Sequence, residues 1–260
     1  MTVMRVYTGK ERVNRAVALV LLVLGLVSLL GSAFSNSYVV AFIGLGLAFW
    51  GALLLYLVPS KHVRLDLLTA TGISSFADIE RILASSDSTA KGVYLPPRLL
   101  EDYQSSIVFV PSNAEVGLPK REEVDMEKLY SKQPDGIYLT PPGLALSRLF
   151  EKELNVSFTE TDLSVLPKEL PRLFERLEIS KDTDISADDT TVTIRVGKHV
   201  FFDLCEEAAK LKRAHETIGS PLSSALACVL AKAAGKPVII QKEENKPEQT
   251  TTVEYRLLEG

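Results

Sequence analysis

AVALVLLVLGLVSLLGSAFSNSYVVAFIGLGLAFWGALLLYLV, residues 16–58, is an apolar stretch without a single charged side chain. It divides into two runs, 16–34 and 39–58, which are separated only by a short turn at 35–38. A helix of about 20 residues rises ~30 Å, which matches the hydrocarbon thickness of a bilayer. The stretch therefore predicts a transmembrane hairpin of two helices.

The charges that flank the hairpin predict its orientation. The segment 1–15 carries four basic residues against Glu11, whereas the turn at 35–38 has neither Lys nor Arg. Lys61 and Arg64 follow the second run. Under the positive-inside rule both termini lie in the cytoplasm, as in a multi-pass protein of the cell (plasma) membrane. A cleaved signal peptide is the alternative, but its apolar region is typically about 7–15 residues long and is not followed at once by a second run.

Small residues recur at four-residue spacing in both runs: Gly44, Ala48 and Ala52 in the second, Ser28 and Ser32 in the first. This spacing puts them on one helix face, where two backbones can approach closely. Two interpretations stay open, namely packing of the hairpin against itself and contact with a second copy of the chain in a homo-oligomer. Neither run contains Asp, Glu, Lys, Arg or His at depth, where transport or proton relay needs them. The hairpin is therefore interpreted as an anchor in the lipid bilayer.

The remaining residues, 62–260, are predicted to form a cytoplasmic domain. Only four of the 29 Lys and Arg residues and one of the 33 Asp and Glu residues precede Ser60, so this part is acidic, which argues against nucleic acid as a partner. Two cysteines are too few for a disulfide framework, and no zinc-ligand spacing occurs. No metal or cofactor is therefore predicted. The length fits one domain or two half-domains divided near 155–190.

Hydrophobic patterns in this domain alternate between strands and helices. Strands are predicted at Val63–Leu68, Gly92–Leu95, Ser106–Val110, Gly136–Leu139, Thr191–Val196, Pro237–Gln241 and Thr251–Leu258. Helices are predicted at Ser75–Ala84, Arg98–Tyr103, Gly143–Leu154, Asp162–Leu177, His199–Thr217 and Pro221–Ala234. Loops are expected at 120–132, Ser180–Asp189 and Glu243–Glu248. This alternation is typical of an α/β or α+β domain with a mixed sheet.

A short internal echo joins two of these strands. GVYLPP at 92–97 resembles GIYLTPP at 136–142, and each runs into a predicted helix. Duplication of a half-domain and convergence on a common strand-to-helix pattern both explain it. Loops that follow such strands often hold ligands, so Tyr94 and Tyr138 are candidates for the wall of a binding pocket. Packing in or beside the core is the alternative for both tyrosines.

The segment 218–240, IGSPLSSALACVLAKAAGKPVII, predicts a buried helix. Ser220 suits the N-cap, Pro221 the first helical position and Gly235 the end of the helix. A helix that is apolar nearly all round is typical of a core. The functional alternative is an anion at its N-terminus, bound by free backbone N–H groups together with Ser220, Ser223 and Ser224. A phosphate loop is excluded because Pro237, not Ser or Thr, follows Gly235-Lys236.

One further pairing involves the thiols. His215 closes an apolar stripe that includes Cys205, so His215, Cys205 and Cys228 could meet as a thiol–imidazole pair. The spacing does not require this, and no third group that would orient the imidazole is evident. Buried cysteines usually act as small hydrophobic residues. No catalytic residue is predicted, and His215 is kept as a candidate for ligand binding.

Two resemblances accompany these patterns. The strings GVYLPP, GIYLTPPG, LFEKEL and SPLSSALACVLAKAAGKPV resemble those of uncharacterised archaeal membrane proteins with an N-terminal hairpin and a cytoplasmic domain. The order of helix, small-residue helix, GKPVII strand and final strand resembles the C-terminal part of vinyl-reductase-type small-molecule-binding domains, over roughly the last 60 residues. That family's cysteines near the final strands are absent between Lys242 and Thr252. The resemblance therefore implies a ligand-pocket shape and no metal or redox role.

Three functions are weighed on this basis. The first is a membrane-anchored cytoplasmic scaffold or sensor that acts through contacts with an unknown protein partner and without catalysis. The second is a sensor of a small ligand with the architecture of vinyl-reductase-type domains. The third is an enzyme acting on a membrane-associated or phosphorylated substrate. An apolar pocket favours the second, and a nucleophile and base within hydrogen-bond reach favour the third.

Overall fold

The computed structural model describes residues 3–35, 37–57, 65–86, 88, 90–100, 106–113, 115–125 and 128–259. The chain divides into two compact units, Met1–Val63 and Arg64–Gly260. The first unit is helical and the second combines helices with a single sheet. Each unit is described by itself below.

The first unit is a pair of helices, α1 (Val3–Ser35) and α2 (Tyr38–Leu57). Their backbones meet at three glycines. A Cβ atom built on Gly25 would lie 2.3 Å from the Ala48 nitrogen, and one on Gly44 would lie 2.8 Å from the Leu29 nitrogen. One built on Gly51 would lie 2.5 Å from the Leu22 nitrogen. These distances are too short for any side chain, so the glycines set the approach of the two helices.

The small-residue prediction for the hairpin is confirmed in part. Gly44 and Ala48 face α1, which is the packing of the hairpin against itself. Ala52 is exposed, and the buried residue at this level of α2 is Gly51. The prediction for Ala52 was wrong because a strict four-residue step drifts around a helix of 3.6 residues per turn, and the seven-residue step from Gly44 to Gly51 stays on the face. The contact with a second copy stays a prediction.

Three described stretches are long and apolar enough to cross a membrane by length and composition: Val17–Phe34, Tyr38–Tyr56 and Lys212–Ala234. The first two expose most of their large side chains, and only 11% of each stretch is buried. The third is 83% buried within the second unit and is interrupted at Gly219. Its apolar character therefore belongs to a domain core.

The second unit is built on an eight-stranded sheet. Its strands are β1 (Val93–Tyr94), β2 (Val108–Pro111), β3 (Tyr130–Lys132), β4 (Asp135–Leu139), β5 (Asp182–Ala187), β6 (Thr191–Gly197), β7 (Val238–Lys246) and β8 (Thr250–Leu257). The spatial order is β3-β4-β2-β1-β7-β8-β6-β5, and every neighbouring pair is antiparallel. The mixed sheet expected from the sequence was wrong, because most strands are joined by hairpins or reversing loops instead of right-handed crossovers.

Six helices accompany this sheet: α3 (Leu65–Ser86), α4 (Leu144–Leu154), α5 (Leu166–Arg176), α6 (Phe202–Ala209), α7 (Lys212–Ile218) and α8 (Pro221–Ala234). They form the main core with one face of the sheet, centred on α8, whose residues from Leu222 to Lys232 are all buried. The opposite face of β1 and β2 carries a smaller core around Phe109 and Tyr138, whose ring centroids are 5.3 Å apart. Side chains from 95–124 complete that smaller core.

Several local predictions differ from the structure. The part of the predicted strand Val63–Leu68 that is described, from Leu65, belongs to α3, and Ser75 lies inside that helix. The predicted loop Ser180–Asp189 contains the edge strand β5, whose alternation was obscured by aspartates on its solvent side. The single helix predicted over His199–Thr217 is two helices, α6 and α7. Leu211 separates them with ψ of 78°, and side-chain periodicity alone does not reveal such a break.

The remaining differences lie at element ends. The helix predicted at Arg98–Tyr103 is a 3-10 turn at Pro97–Leu99, and residues 101–105 lie outside the described residues. The segment 120–132 holds a 3-10 turn at Arg121–Glu123 and β3. The loop predicted at Glu243–Glu248 is shorter, because β7 continues to Lys246 and pairs there with Thr250.

The echoed segments occupy related positions in the sheet. β1 and β4 lie on either side of β2, and both are antiparallel to it. However, Tyr94 pairs with Val108 and Tyr138 with the next residue, Phe109. Successive residues on a strand point to opposite faces, so the two tyrosines lie on opposite sides of the sheet. The four strands before residue 155 and the four after it form adjacent halves, joined by β1 and β7.

Candidate functional site

Three of the six candidate residues meet at the N-terminus of α8. Ser220 and Ser223 begin this helix, and His215 comes from α7. All three approach Glu243 on β7, a residue that the sequence had placed in a loop. This group of four residues is called the α8 cluster below.

The start of α8 has the N-cap and first-turn residues that its sequence predicts. Ser220 is the N-cap and its hydroxyl accepts a hydrogen bond from the Ser223 N–H at 3.4 Å. Pro221 occupies the first turn, where its missing N–H costs nothing. Gly219 has φ of 66°, and a Cβ atom there would lie 2.6 Å from the Ser223 hydroxyl and 3.0 Å from Glu243 Oε2. A glycine is required for both reasons.

Glu243 reaches this helix end because β7 is irregular. The register with β8 shifts between Ile240 and Lys242, which is a β-bulge. The extra residue reverses the alternation, so Glu243 faces the core and its side chain is only 2% exposed. Its Oε2 accepts hydrogen bonds from the Ser220 N–H at 2.9 Å and from the Ser223 hydroxyl at 2.5 Å. The Nε2 atom of His215 lies 3.6 Å from the same oxygen.

The electrostatics of the cluster favour an ionised Glu243. Burial raises the pKa of this carboxyl. The nearby imidazole of His215 and the hydroxyls of Ser223 and Ser220 together lower the pKa by more than burial raises it. The net effect holds the pKa of Glu243 below its usual value. The positive end of the α8 dipole points at the same carboxylate and adds to this stabilisation. Glu243 therefore lies where the functional alternative of the sequence analysis placed a bound anion.

The arrangement does not match that of a catalytic triad. In a triad the imidazole lies between the nucleophilic hydroxyl and the carboxylate, so that it can take the hydroxyl proton. Here the carboxylate of Glu243 lies between Ser223 and His215. Two polar atoms of this group, Oε1 of Glu243 and Nε2 of His215, are buried and make no hydrogen bond.

Two buried tyrosines hydrogen-bond to backbone carbonyls next to the cluster. The Tyr94 hydroxyl donates to the carbonyl of Ile218 at 2.6 Å, and the Tyr255 hydroxyl donates to the carbonyl of Ser223 at 3.0 Å. Burial raises the pKa of both phenols well above the usual value. Tyr94 is therefore a core residue that joins β1 to the α7–α8 junction. Tyr138, the other candidate tyrosine, lies on the opposite face of the sheet, and its hydroxyl reaches the carbonyl of Glu123 at 3.3 Å.

Ser224 serves a different contact from the other two serines. Its hydroxyl accepts a hydrogen bond from the Gly143 N–H at 3.1 Å, which links α8 to the start of α4. A Cβ atom on Gly143 would lie 2.0 Å from the Ala225 nitrogen. The small residues Ser224 and Ala225 therefore allow the backbone of Gly143 to approach α8 closely.

The cysteines and the remaining buried histidine are in apolar surroundings. Burial raises the pKa of both Cys205 and Cys228 to about 12. Burial also lowers the pKa of His199 to about 4, and its Nε2 lies 2.9 Å from the Thr251 hydroxyl. Thiols with raised pKa values are poor nucleophiles at neutral pH. Among the described residues, no group of three or more His, Cys, Asp and Glu side chains could hold a metal ion.

Two further carboxylates join distant elements. Glu151 of α4 pairs with Lys232 of α8 at 2.9 Å and accepts the Phe158 N–H at 3.1 Å. Glu80 of α3 accepts the Ala214 N–H at 2.7 Å and so caps α7. The sequence analysis did not predict that Glu80, Glu151 and Glu243 make partly buried contacts. A glutamate among polar residues is normally expected on the solvent-exposed surface. For Glu151, the pattern LFEKEL gives no signal that one glutamate turns inward. A lysine on an otherwise apolar helix, Lys232, was the available sign of a buried partner.

An open apolar groove lies between α3 and α4. Its volume is about 860 Å³. Phe76 and Ile79 of α3 and Leu146 of α4 line its walls, and Phe201 and Leu204 of the α6 region close one side. Leu139, Pro141 and Pro221 also line it, so it reaches the first residue of α8, next to the α8 cluster. Tyr138 is among the lining residues, although its ring packs with Phe109 in the smaller core, and its role in ligand binding stays a prediction.

Comparison with known proteins gives one match. Residues 4–257 match the family described as Domain of unknown function (DUF7982). Because this match covers nearly the whole chain, the chain belongs to that family. No curated protein and no solved structure matches it.

Proposed function

We propose that the chain is a membrane-anchored cytoplasmic domain that acts as a scaffold or sensor through contacts with a partner, and not as an enzyme. The observation that carries this proposal is the contrast between an apolar hairpin and a polar-surfaced domain in one chain. Val17–Phe34 and Tyr38–Tyr56 expose most of their side chains, and soluble proteins rarely expose apolar patches of that extent. A bilayer provides the surroundings that such a surface needs.

The flanking charges support a cytoplasmic location for the domain. Basic residues precede the first run and follow the second, and the turn has none. The positive-inside rule then predicts that both termini are in the cytoplasm. The two buried cysteines are free, which agrees with a reducing compartment.

The geometry of the α8 cluster supports binding over catalysis. The Ser223 hydroxyl is fully buried and donates to Glu243, and Ser220 is the N-cap of a core helix. A phosphorylated substrate would need the N-terminus of α8, where the ionised Glu243 already lies. An enzyme acting on such a substrate therefore receives the least support of the three functions.

Topology is the first test. We expect a membrane-impermeant maleimide to label a Ser35→Cys variant in intact cells from outside, while a C-terminal tag is reached only after the membrane is permeabilised. The native Cys205 and Cys228 serve as internal controls, because both are buried and should stay unlabelled in the folded chain. A tag that is labelled from outside would contradict the proposed orientation.

Chemical probes test the absence of catalysis. The intact chain in membranes is treated with a fluorophosphonate, which labels activated serines, and with iodoacetamide, which labels activated thiols. We expect neither Ser223 nor Cys205 to react before unfolding, since both are fully buried. Stoichiometric labelling of Ser223 in the native chain, lost in a His215→Gln variant, would overturn the proposal in favour of an enzyme.

A sensor of a small ligand is the second candidate, and the α3–α4 groove favours it. The groove's volume of about 860 Å³ falls within the range of small-molecule sites, about 300–1,000 Å³. Its lining is largely apolar with polar groups at Thr71, Ser75 and Thr140. Such a groove is compatible with a membrane-anchored sensor, so the two candidates share the same anchor.

A further inference from the structure

The α3–α4 groove separates two groups of helices. α3 packs against α6 and α7, whereas α4 packs against α5 and α8. Both groups lie on the same face of the sheet, and the groove follows the line between them. Its walls are therefore set by packing on either side and do not depend on a bound ligand to exist.

The chemistry of the groove suits a long apolar chain. Ile79, Ile82 and Leu146 are partly exposed in the groove, and the buried side chains of Phe76 and Leu204 complete its apolar lining. Gly72 lets α3 approach Leu204 closely at this side of the groove, because a Cβ atom there would lie 3.2 Å from Leu204 Cδ1. Polar residues such as Ser75 and Asp78 lie on the outer side of α3. An apolar trough with a polar rim is the pattern that recognises an amphiphile.

Among the described side chains of the domain, few other large apolar residues are exposed. They are scattered: Leu129, Tyr130, Leu149, Val156, Val165 and Val200, each between 37% and 57% exposed. Of these only Leu129 lines the groove. A stable protein partner needs roughly 800 Å² of interface on each side, for which a narrow groove without an apolar surround is poorly suited. A single acyl chain needs no such surround.

The sequence tethers the helix that carries one wall of the groove to the apolar hairpin by a short segment. Seven residues, 58–64, join the end of α2 to the start of α3, and even a fully extended linker of that length covers at most about 30 Å. The first residues of α3 that line the groove, Thr71 and Gly72, come less than two helical turns after Leu65. If the hairpin spans a bilayer, a tether of this length raises the effective concentration of lipid at the domain.

We propose that the α3–α4 groove binds an acyl chain of a membrane lipid. The inference rests on the proposed function, because the bilayer must be the one that the hairpin spans. In this arrangement the lipid links the state of the membrane to the helices around the α8 cluster, since Pro221 lines the groove and Ser220 and Ser223 hold Glu243.

The test uses the full chain in nanodiscs of phosphatidylcholine, with a fraction of the lipid carrying a diazirine at the end of one acyl chain. After illumination the labelled peptides are mapped by mass spectrometry. We expect labels in α1 and α2, which report the anchor, and additional labels in α3 and α4 at the groove. Labels in the helical pair without labels in the groove would overturn the inference and leave the anchor standing. A hairpin without labels would overturn both.

A matched pair of variants on α4 sharpens this test. Ala145 is exposed and lines the groove, and Glu153 is exposed on the same helix outside it. Ala145→Trp fills the groove from its open side, so we expect groove labelling to fall roughly tenfold. Glu153→Trp should leave it unchanged, and both variants should keep the labels in α1 and α2. Equal labelling in the two variants would contradict the inference.

A second photolabel distinguishes lipid from polypeptide as the occupant. Ala145→p-benzoylphenylalanine places a photoreactive group at the groove in the same nanodiscs. We expect an adduct whose added mass is that of one phosphatidylcholine molecule. A covalent dimer of the chain as the main product would overturn the lipid inference and identify the groove as an interface between copies.

Discussion

Helices in the first unit meet through bare glycines, whereas helices in the second unit meet through glycines together with buried carboxylates. In the hairpin, Gly25 and Gly44 bring two backbones within van der Waals contact. In the domain, Gly143 does the same for α4 and α8. The domain then adds two polar links to α8, one from Glu151 to Lys232 and one from Glu243 to the helix N-terminus.

The difference is the one expected if the hairpin lies in lipid, as proposed, and the domain lies in water. In water, burial of apolar area already drives α8 against the sheet, but apolar packing by itself is non-directional. A buried charge that must find its partner then selects one arrangement, because any other leaves it unpaired. In lipid, apolar burial gives helices no reason to associate, and close backbone contact takes over that role. Polar links in the hairpin would be costly and are not needed.

Removal of Glu151 should have the largest effect of the substitutions considered. Glu151→Ala leaves the ammonium of Lys232, whose side chain is 1% exposed, without its ion-pair partner. We expect the free energy of unfolding of the domain to fall by about 3–5 kcal/mol. Thermal and urea unfolding of the detergent-solubilised chain, followed by circular dichroism, measures this.

The double variant Glu151→Leu with Lys232→Met is the control. It replaces both charged groups by apolar ones of similar size, and we expect it to recover most of the lost stability. Its recovery would show that the link selects an arrangement more than it stabilises the fold. A double variant as unstable as Glu151→Ala would contradict this view of the domain.

Neutralisation of Glu243 should have a smaller effect that depends on pH. Glu243→Gln keeps the shape of the side chain and removes the charge that Ser220, Ser223 and the helix dipole stabilise. We expect a loss of about 2 kcal/mol at pH 7, the typical contribution of hydrogen bonds to a charged group.

The sign of the pH dependence follows from the lowered pKa of Glu243. A carboxyl with a lower pKa in the folded state contributes stability above its unfolded pKa, about 4.3, and loses it as the pH falls through the folded value. His199, whose pKa is lowered to about 4, destabilises both proteins as the pH falls from about 6.5. The difference between wild type and Glu243→Gln should therefore shrink only below about pH 4.3. A difference that is constant down to pH 2 would show that Glu243 is not ionised in the fold.

Packing of α1 against α2 should be sensitive to a larger side chain at Gly44 and insensitive to one at Gly46. A Cβ atom on Gly44 would lie 2.8 Å from the Leu29 nitrogen, whereas one on Gly46 meets nothing within 4 Å. We expect Gly44→Val to cost about 1–2 kcal/mol of helix–helix contact and to separate the helices, and Gly46→Val to do neither. Spin labels at the exposed Leu19 and Leu55 report the separation in nanodiscs. Equal behaviour of the two variants would mean that this seam does not hold the hairpin together.

The sequence predicted the parts of the fold that depend on local pattern. The helix Pro221–Ala234 agrees with the structure to the residue, because its N-cap, its proline and its terminal glycine are local signals. The two apolar runs likewise correspond to the two long N-terminal helices. Ser220, Ser223 and His215 meet at the N-terminus of α8, but the sequence analysis paired His215 with the cysteines and not with the serines, and Ser224 contacts Gly143 instead.

The parts that failed depend on long-range partners. The β-bulge at Ile240–Lys242 turns Glu243 inward, and nothing in the run QKEENK distinguishes it from a solvated loop. The antiparallel sheet depends on which strands pair across the chain, such as β1 with β7, and local patterns do not fix this. The groove exists between two separately packed helix groups, so no single segment carries its signature.

The smallest effect is expected at Cys228, which lies on α8 one helical turn before Lys232. Its side chain is fully buried, and burial raises its pKa to about 12. The neighbouring hydroxyls of Ser106 and Ser147 oppose part of this rise in the pKa. Cys228→Ser should therefore find a partner for its new hydroxyl and cost only about 1 kcal/mol, a typical loss for a modest polar change with compensation. The native thiol should react with a maleimide only as fast as the domain opens. Rapid labelling in the native state would show that α8 is accessible and is not the packed centre of the domain. The comparison between the hairpin and a domain with buried polar links would then no longer hold.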